Sequence, residues 1–305
     1  MPKYFNFATV VSFFGLWIAS VFSNETQILI GFVLIFSIGI LHGANDLLLL
    51  EKVNIKNSSI SRVGVLSYYV SMVLLVTLLF YFVPEIALAM FLIISAYHFG
   101  EQQSQHLEWE HREDFFALGV RLVFEFCYGS LILLLLFSFH LPEVQKIIFA
   151  ISSRLVSTHL ILFLLAFFVL LLTVFGIYFC IKTKKMRSQL AMELFYLLVF
   201  TIIFKSSSLI WGFALYFVFW HSLPSIINQT KFLYGAFNKT NFILYLKSAL
   251  LYWIISLLGI ASIYYLFSNE KIFNALFFSF LAAITFPHVL VIIKVFGKNS
   301  TGNIK

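Results

Sequence analysis

The feature that most constrains this chain is a succession of apolar runs about twenty residues long, divided by short polar segments. A bilayer's hydrocarbon core is about 30 Å thick, and a helix rising about 1.5 Å per residue needs about 20 residues to cross it. Ten runs fit that length: 5–23, 27–47, 64–83, 84–101, 115–139, 159–181, 189–206, 207–228, 244–267 and 271–296. The expected fold is therefore all-α: one membrane-embedded helical bundle over 1–305, with eight to ten transmembrane helices. The range follows from two tight joints, at Pro84 and at Lys205-Ser206-Ser207-Ser208. Composition excludes the soluble alternatives: 61% of residues are apolar and 11% charged, against roughly 45–50% and about 25% in globular domains. A water-soluble enzyme, a disordered tail and a nucleic-acid binder are all set aside, and the expected partner is a lipid bilayer, with no nucleic acid. Lys3 precedes the first run, and Asn24, Glu25 and Thr26 follow it where a leader would carry small residues. That run is read as the first membrane helix.

The basic residues test this layout independently. With the N-terminus inside, inner segments carry Lys3, Lys52, Lys56, Arg62, Arg112, Lys182, Lys184, Lys185, Arg187, Lys231, Lys239, Lys247, Lys294, Lys298 and Lys305. Outer segments carry Lys146, Arg154, Lys205 and Lys271, and Arg121 falls inside a helix. A split of 15 against 4 among 20 Lys and Arg obeys the positive-inside rule. Both termini are therefore expected in the cytoplasm, and the expected location is the cytoplasmic (inner) membrane as a multi-pass protein. Cys127 and Cys180 both lie in apolar runs and read as small packing residues.

Four of the eight histidines lie within apolar runs that all cross from outside to inside: His42, His98, His221 and His288. They fall 15, 14, 14 and 17 residues past Gln27, Pro84, Ser207 and Lys271, which places them near one depth in the inner third. Polar side chains in hydrocarbon are costly and tend to face the bundle interior, where they mark function. Converging neutral imidazoles suit iron, copper or zinc. His106 and His111 sit in a polar inner loop, and His140 and His159 at outer helix ends, where a solvated or interfacial histidine is expected.

The surroundings of the four suit a shaped site. Gly39 and Gly43 flank His42, Gly100 follows His98, and Pro224 and Pro287 lie beside His221 and His288. Asp46, one turn beyond His42, and Glu101, three residues beyond His98, are candidates to hold the second ring nitrogen of a ligating histidine or to ligate directly. Arg121 and Glu125 are spaced to neutralise each other, and Glu193 lies near the inner end of its helix.

At these residues the chain resembles the bacterial Brp/Blh-type β-carotene 15,15'-dioxygenases. The stretches that carry the resemblance are LHGANDLLLL around His42, SAYHFGEQ around His98, FWHSLPSI around His221 and TFPHVLVI around His288. The resemblance implies a membrane iron oxygenase that uses O2 to split β-carotene at its central 15,15' double bond into two all-trans-retinal molecules. It implies non-haem Fe(2+) as cofactor, with His42, His98 and His221 as ligands and His288 as candidate fourth. Some relatives carry a further histidine one turn after the His221 equivalent, where this chain has Ser225. β-Carotene and O2 are the implied substrates, with a functional link to a retinal-binding rhodopsin. Tyr97, Trp211, Tyr216 and Trp220, among the aromatics near the motifs, are candidates to line an apolar substrate tunnel.

Other readings predict other patterns. A membrane haem-binding redox protein also needs histidines at shared depth, usually in two layers, and would show a Soret band. Another membrane lipid or terpenoid oxygenase would use the same ligands on a different substrate. A proton-relay transporter needs polar groups through the whole thickness, and a retinal protein needs a lysine deep in a helix.

Overall fold

The apolar runs are helical in the computed structural model, which describes residues 3–57, 62–105, 107, 115–182, 184–266 and 270–296. In order the helices are α1 (Lys3–Val21), α2 (Asn24–Leu34), α3 (Asp46–Asn57), α4 (Arg62–Phe82), α5 (Pro84–Ser104), α6 (Phe115–Phe139) and α7 (Leu141–Ser152). They continue with α8 (Thr158–Lys182), α9 (Lys184–Ser206), α10 (Leu209–Leu215), α11 (Leu223–Tyr234), α12 (Lys239–Leu266) and α13 (Glu270–Phe296). Wider π-helical turns follow α2 at Ile35–Gly39 and join α10 to α11 at Tyr216–Ser222. No strand occurs among the described residues.

Eight helical stretches among the described residues are long and apolar enough to cross a membrane: within α1, α4, α6, α8, α9, α12 and α13, and along Leu209–Tyr234. The side chains of α8 show what solvent the fold requires. Phe163, Leu170, Ile177 and Ile181 are 66%, 62%, 57% and 81% exposed. A continuous apolar face of that kind is stable only against lipid. The chain is a polytopic helical membrane protein.

Both tight joints form. Pro84 opens α5 at the first helical position, where its missing N–H breaks no helical bond. Ser208 caps α10 by accepting from the Trp211 amide at 3.3 Å, a contact worth about 1 kcal/mol. Gly235, at φ 89°, stops α11, a left-handed turn that costs glycine nothing.

Two expectations fail locally. The run 27–47 is not one helix: it widens at Ile35–Gly39, turns at His42–Asn45 and restarts as α3 at Asp46. The widened carbonyls are held from outside, since the Trp253 indole N–H lies 2.9 Å from the Phe36 oxygen and 3.1 Å from that of Ser37. The segment after His140, read as a connection, contains the short helix α7, too short to register as a span.

Contacts divide the chain into two compact units. The first comprises Met1–Ile35, Ser95–Lys146 and Leu155–Pro224; the second comprises Phe36–Ile94, Ile147–Arg154 and Ser225–Lys305. In the first, α1 is pinned from within: the Trp211 indole N–H donates to the Gly15 carbonyl (3.0 Å) and that of Trp220 to the Ser12 hydroxyl (2.9 Å). Gln27 joins α2 to the start of α10 by accepting from the Ser208 amide at 2.9 Å. In the second unit, Leu49, Leu50, Val65, Ile226, Val291 and Ile292 form a core that holds α3, α4, α11 and α13 together.

Candidate metal centre

In the second unit, the break in the chain at His42–Asn45 builds the first half of the candidate site. Weak three-residue bonds replace the helical ladder here: Gly43 N to Ile40 O, Ala44 N to Leu41 O and Asp46 N to Gly43 O, each 3.2 Å. His42 is buried, and its Nδ1–H donates to the Gly39 carbonyl. His288 comes from α13 and faces it, with ring centroids 4.6 Å apart and planes 84° apart. The His288 Nδ1 lies 2.9 and 3.1 Å from the two carboxylate oxygens of Asp46. Asp46 is 1% exposed and also accepts from the Tyr69 hydroxyl at 3.1 Å. A carbonyl and a carboxylate accept but do not donate, so both rings carry their proton on Nδ1 and their lone pair on Nε2. An imidazole held in this way is arranged as a metal ligand is.

Asp46 therefore grips His288, 242 positions away in the chain. The turn displaces the carboxylate from the position an unbroken helix would give it. Gly43 fits the same packing, since a Cβ there would stand 3.6 Å from the His288 Nδ1.

In the first unit, α5 and the π-turn of Tyr216–Ser222 build a second pair. His98 and His221 are 2% and 1% exposed, with ring centroids 4.7 Å apart and planes 78° apart. Phe217 stacks on His221 at 5.6 Å, and the edge of Phe99 meets it at 4.9 Å. The π-turn precedes Pro224, which cannot donate to the turn behind it. The Ser222 hydroxyl takes the Phe217 carbonyl at 2.8 Å, satisfying one acceptor that the wide turn displaces.

Both pairs suit a metal ion. With metal–nitrogen bonds of ~2.1 Å, two imidazoles cis on one octahedral ion have ring centres on the order of 4.5 Å apart. Among the described residues, no group of three or more His, Cys, Asp or Glu side chains is gathered as they stand. The four expected ligands occur as two pairs, each within its own unit.

The remaining expectations divide. Glu101 is partly exposed, and the Asp46 carboxylate lies on His288. Trp211, Tyr216 and Trp220 are packed solid in the first unit, with Tyr216 against Phe200 and Phe99 and both tryptophans hydrogen-bonded to α1. They hold helices together there; Tyr97 is half-buried. Arg121 and Glu125 pair as spaced, and Ser104 adds a hydroxyl to Glu125 at 3.2 Å. Glu193 accepts from Tyr128 (2.7 Å) and Gln103 (3.4 Å). His140 is buried, with Nε2 2.9 Å from the Phe204 carbonyl, and burial pushes its pKa below the ordinary histidine range. His159 is exposed, while His106 and His111 lie outside the described residues.

Sequence reasoning missed the groups that hold the His42 turn. Asn45 donates to the Tyr245 carbonyl (3.0 Å), and Gln229 to the His42 carbonyl (2.8 Å). Asn45 stands inside the HGAND stretch and was open to notice; Tyr69 and Tyr245 sit in apolar runs with no local signal.

No curated protein and no solved structure matches the chain. The profile of one family, described as beta-carotene 15,15'-dioxygenase, matches residues 33–295, a span that contains the four paired histidines and Asp46. Two pairs of membrane-depth histidines and a match over most of its length agree: this chain belongs to the β-carotene 15,15'-dioxygenase family.

Proposed function

We propose that the protein is a non-haem Fe(2+) oxygenase that cleaves β-carotene with O2 at the 15,15' double bond, giving two all-trans-retinal molecules. His42, His98, His221 and His288 are the proposed iron ligands. The observation that carries this reading is the pairing of four buried imidazoles from separate elements, with Nδ1 of His42 and His288 tied to acceptors. Four neutral imidazoles would hold the ion without cancelling its charge.

Bound iron would supply the activation of O2, and the electron-rich polyene would supply the electrons, so one O2 and one β-carotene balance as two retinals with no external reductant. The chain's own residues do the rest. Asp46 holds the His288 proton on Nδ1 and so keeps Nε2 as the donor atom. The Tyr69 hydroxyl fixes the carboxylate that does this. Phe99 and Phe217 surround His221 with apolar surface, which excludes water from that ring and matches a hydrocarbon substrate. The proposed location is the cytoplasmic membrane with both termini inside, where β-carotene arrives laterally from the lipid. Retinal released there suits a retinal-binding rhodopsin as its consumer.

Expression in a β-carotene-accumulating bacterium tests the reading. The cells are expected to lose their orange colour and to gain retinal, measured by chromatography of a pigment extract. Unchanged β-carotene with the protein present in the membrane would contradict it.

A further inference from the structure

The Gln229 amide makes three hydrogen bonds, one of them to the His42 carbonyl. Its Oε1 accepts from the Tyr245 hydroxyl at 2.9 Å, and its Nε2 donates to the His42 carbonyl at 2.8 Å and to the Ser225 hydroxyl at 3.0 Å. Gln229 and Tyr245 are fully buried, at 0% exposure each. The amide cannot be turned over without setting its oxygen against the His42 carbonyl oxygen.

His42 needs such a partner because it stands where the helix is broken. Its carbonyl lies in the turn, where Gln229 donates to it at 2.8 Å and the Tyr245 hydroxyl stands 3.5 Å away. The far end of the same turn is tied as well, since Asn45 donates to the Tyr245 carbonyl (3.0 Å) and accepts from the Ser248 hydroxyl (2.9 Å). The His42 ring is thus held twice: Nδ1 through Gly39, and the backbone through Gln229.

We propose that Gln229, oriented by Tyr245, is a positioning residue that fixes the direction of the His42 Nε2 lone pair and so sets the metal affinity of the His42–His288 pair. The inference rests on the metal reading above. It assigns to α11 and α12 a role that a purely structural hydrogen bond would not have.

The test uses the full-length protein purified in detergent and stripped of metal, titrated with Co2+ and followed by its visible bands. Gln229→Met removes both donors at similar volume. It is expected to weaken Co2+ binding about 10–100-fold and to shift the bands, the usual size of an outer-shell effect. Tyr245→Phe keeps the ring but frees the amide, and is expected to shift binding in the same direction by less. Thr230→Val is the comparison: its buried hydroxyl bonds the Ile226 carbonyl within α11, so its loss should lower the melting temperature and leave Co2+ affinity and bands unchanged. Wild-type affinity and bands in both Gln229→Met and Tyr245→Phe would overturn the positioning role. If Gln229→Met fails to fold, Tyr245→Phe decides alone. Wild-type protein that takes up no Co2+ would overturn the metal reading itself, and the inference with it.

Discussion

His42→Ala, His98→Ala, His221→Ala and His288→Ala are each expected to leave a β-carotene-accumulating host orange, with retinal reduced about 100-fold or more. Loss of an outer-shell contact alone costs about 10–100-fold in metal affinity or activity, and loss of a direct ligand should exceed that. Alanine also leaves a buried partner behind. Asp46, 1% exposed, would keep its charge with only Tyr69 of its two named partners after His288→Ala. Membrane insertion should survive, because each substitution makes its helix more apolar, and immunodetection in the membrane fraction checks this. His159→Ala is the comparison, since that exposed ring is expected to be silent. His140 is a poor comparison despite its place at a helix end, because its buried ring holds the Phe204 carbonyl. Full cleavage by His42→Ala or His98→Ala would remove those residues from the site.

The second large effect is structural and acts two residues from His98. In the first unit, α5 and α6 meet backbone to backbone at Gly100 and Gly129. A Cβ on Gly100 would lie 1.7 Å from the Glu125 carbonyl oxygen, 2.6 Å from its carbon and 3.0 Å from the Gly129 nitrogen. A Cβ on Gly129 would lie 1.8 Å from the Ala96 oxygen. Backbone cannot step aside as a flexible side chain can, so Gly100→Ala must push the helices apart by more than an ångström. That would break the Ser104–Glu125 contact and move His98 relative to His221. Overpacking usually costs about 1–3 kcal/mol, and this contact, made on both helices by backbone, is expected to cost more than ~3 kcal/mol. The expected result is little or no monodisperse protein on size exclusion in detergent, and no cleavage. Gly176→Ala, where a Cβ would meet nothing within 4 Å, should behave as wild type.

Much of this was readable from the sequence because bilayer and metal chemistry both constrain residue types strongly. Spans such as 115–139 and 159–181 agree with α6 and α8 to within a residue, since a long apolar run has few alternatives. The buried histidines and Asp46 stood out because polar groups at such depth are few. The break at His42–Asn45 did not stand out. Hydropathy averages over the run, whereas the break depends on Trp253, Gln229 and Tyr245, which are about 200 residues away in the chain or nearly so. The partner of Asp46 is hidden for the same reason, because His288 stands 242 positions away in the chain. Trp211, Tyr216 and Trp220 were read as tunnel candidates from proximity to the motifs. The indole hydrogen bonds that tie both tryptophans to α1 are invisible in a linear pattern.

The central claim is that these imidazoles hold iron. Iron K-edge X-ray absorption of the purified protein tests it most directly. The account expects one iron per chain, nitrogen scatterers near 2.1 Å and the outer-shell features of about four imidazole rings, with His221→Ala and His288→Ala each lowering the iron content. An iron edge dominated by sulfur or porphyrin scattering, or a protein that cleaves β-carotene with no bound metal, would contradict it.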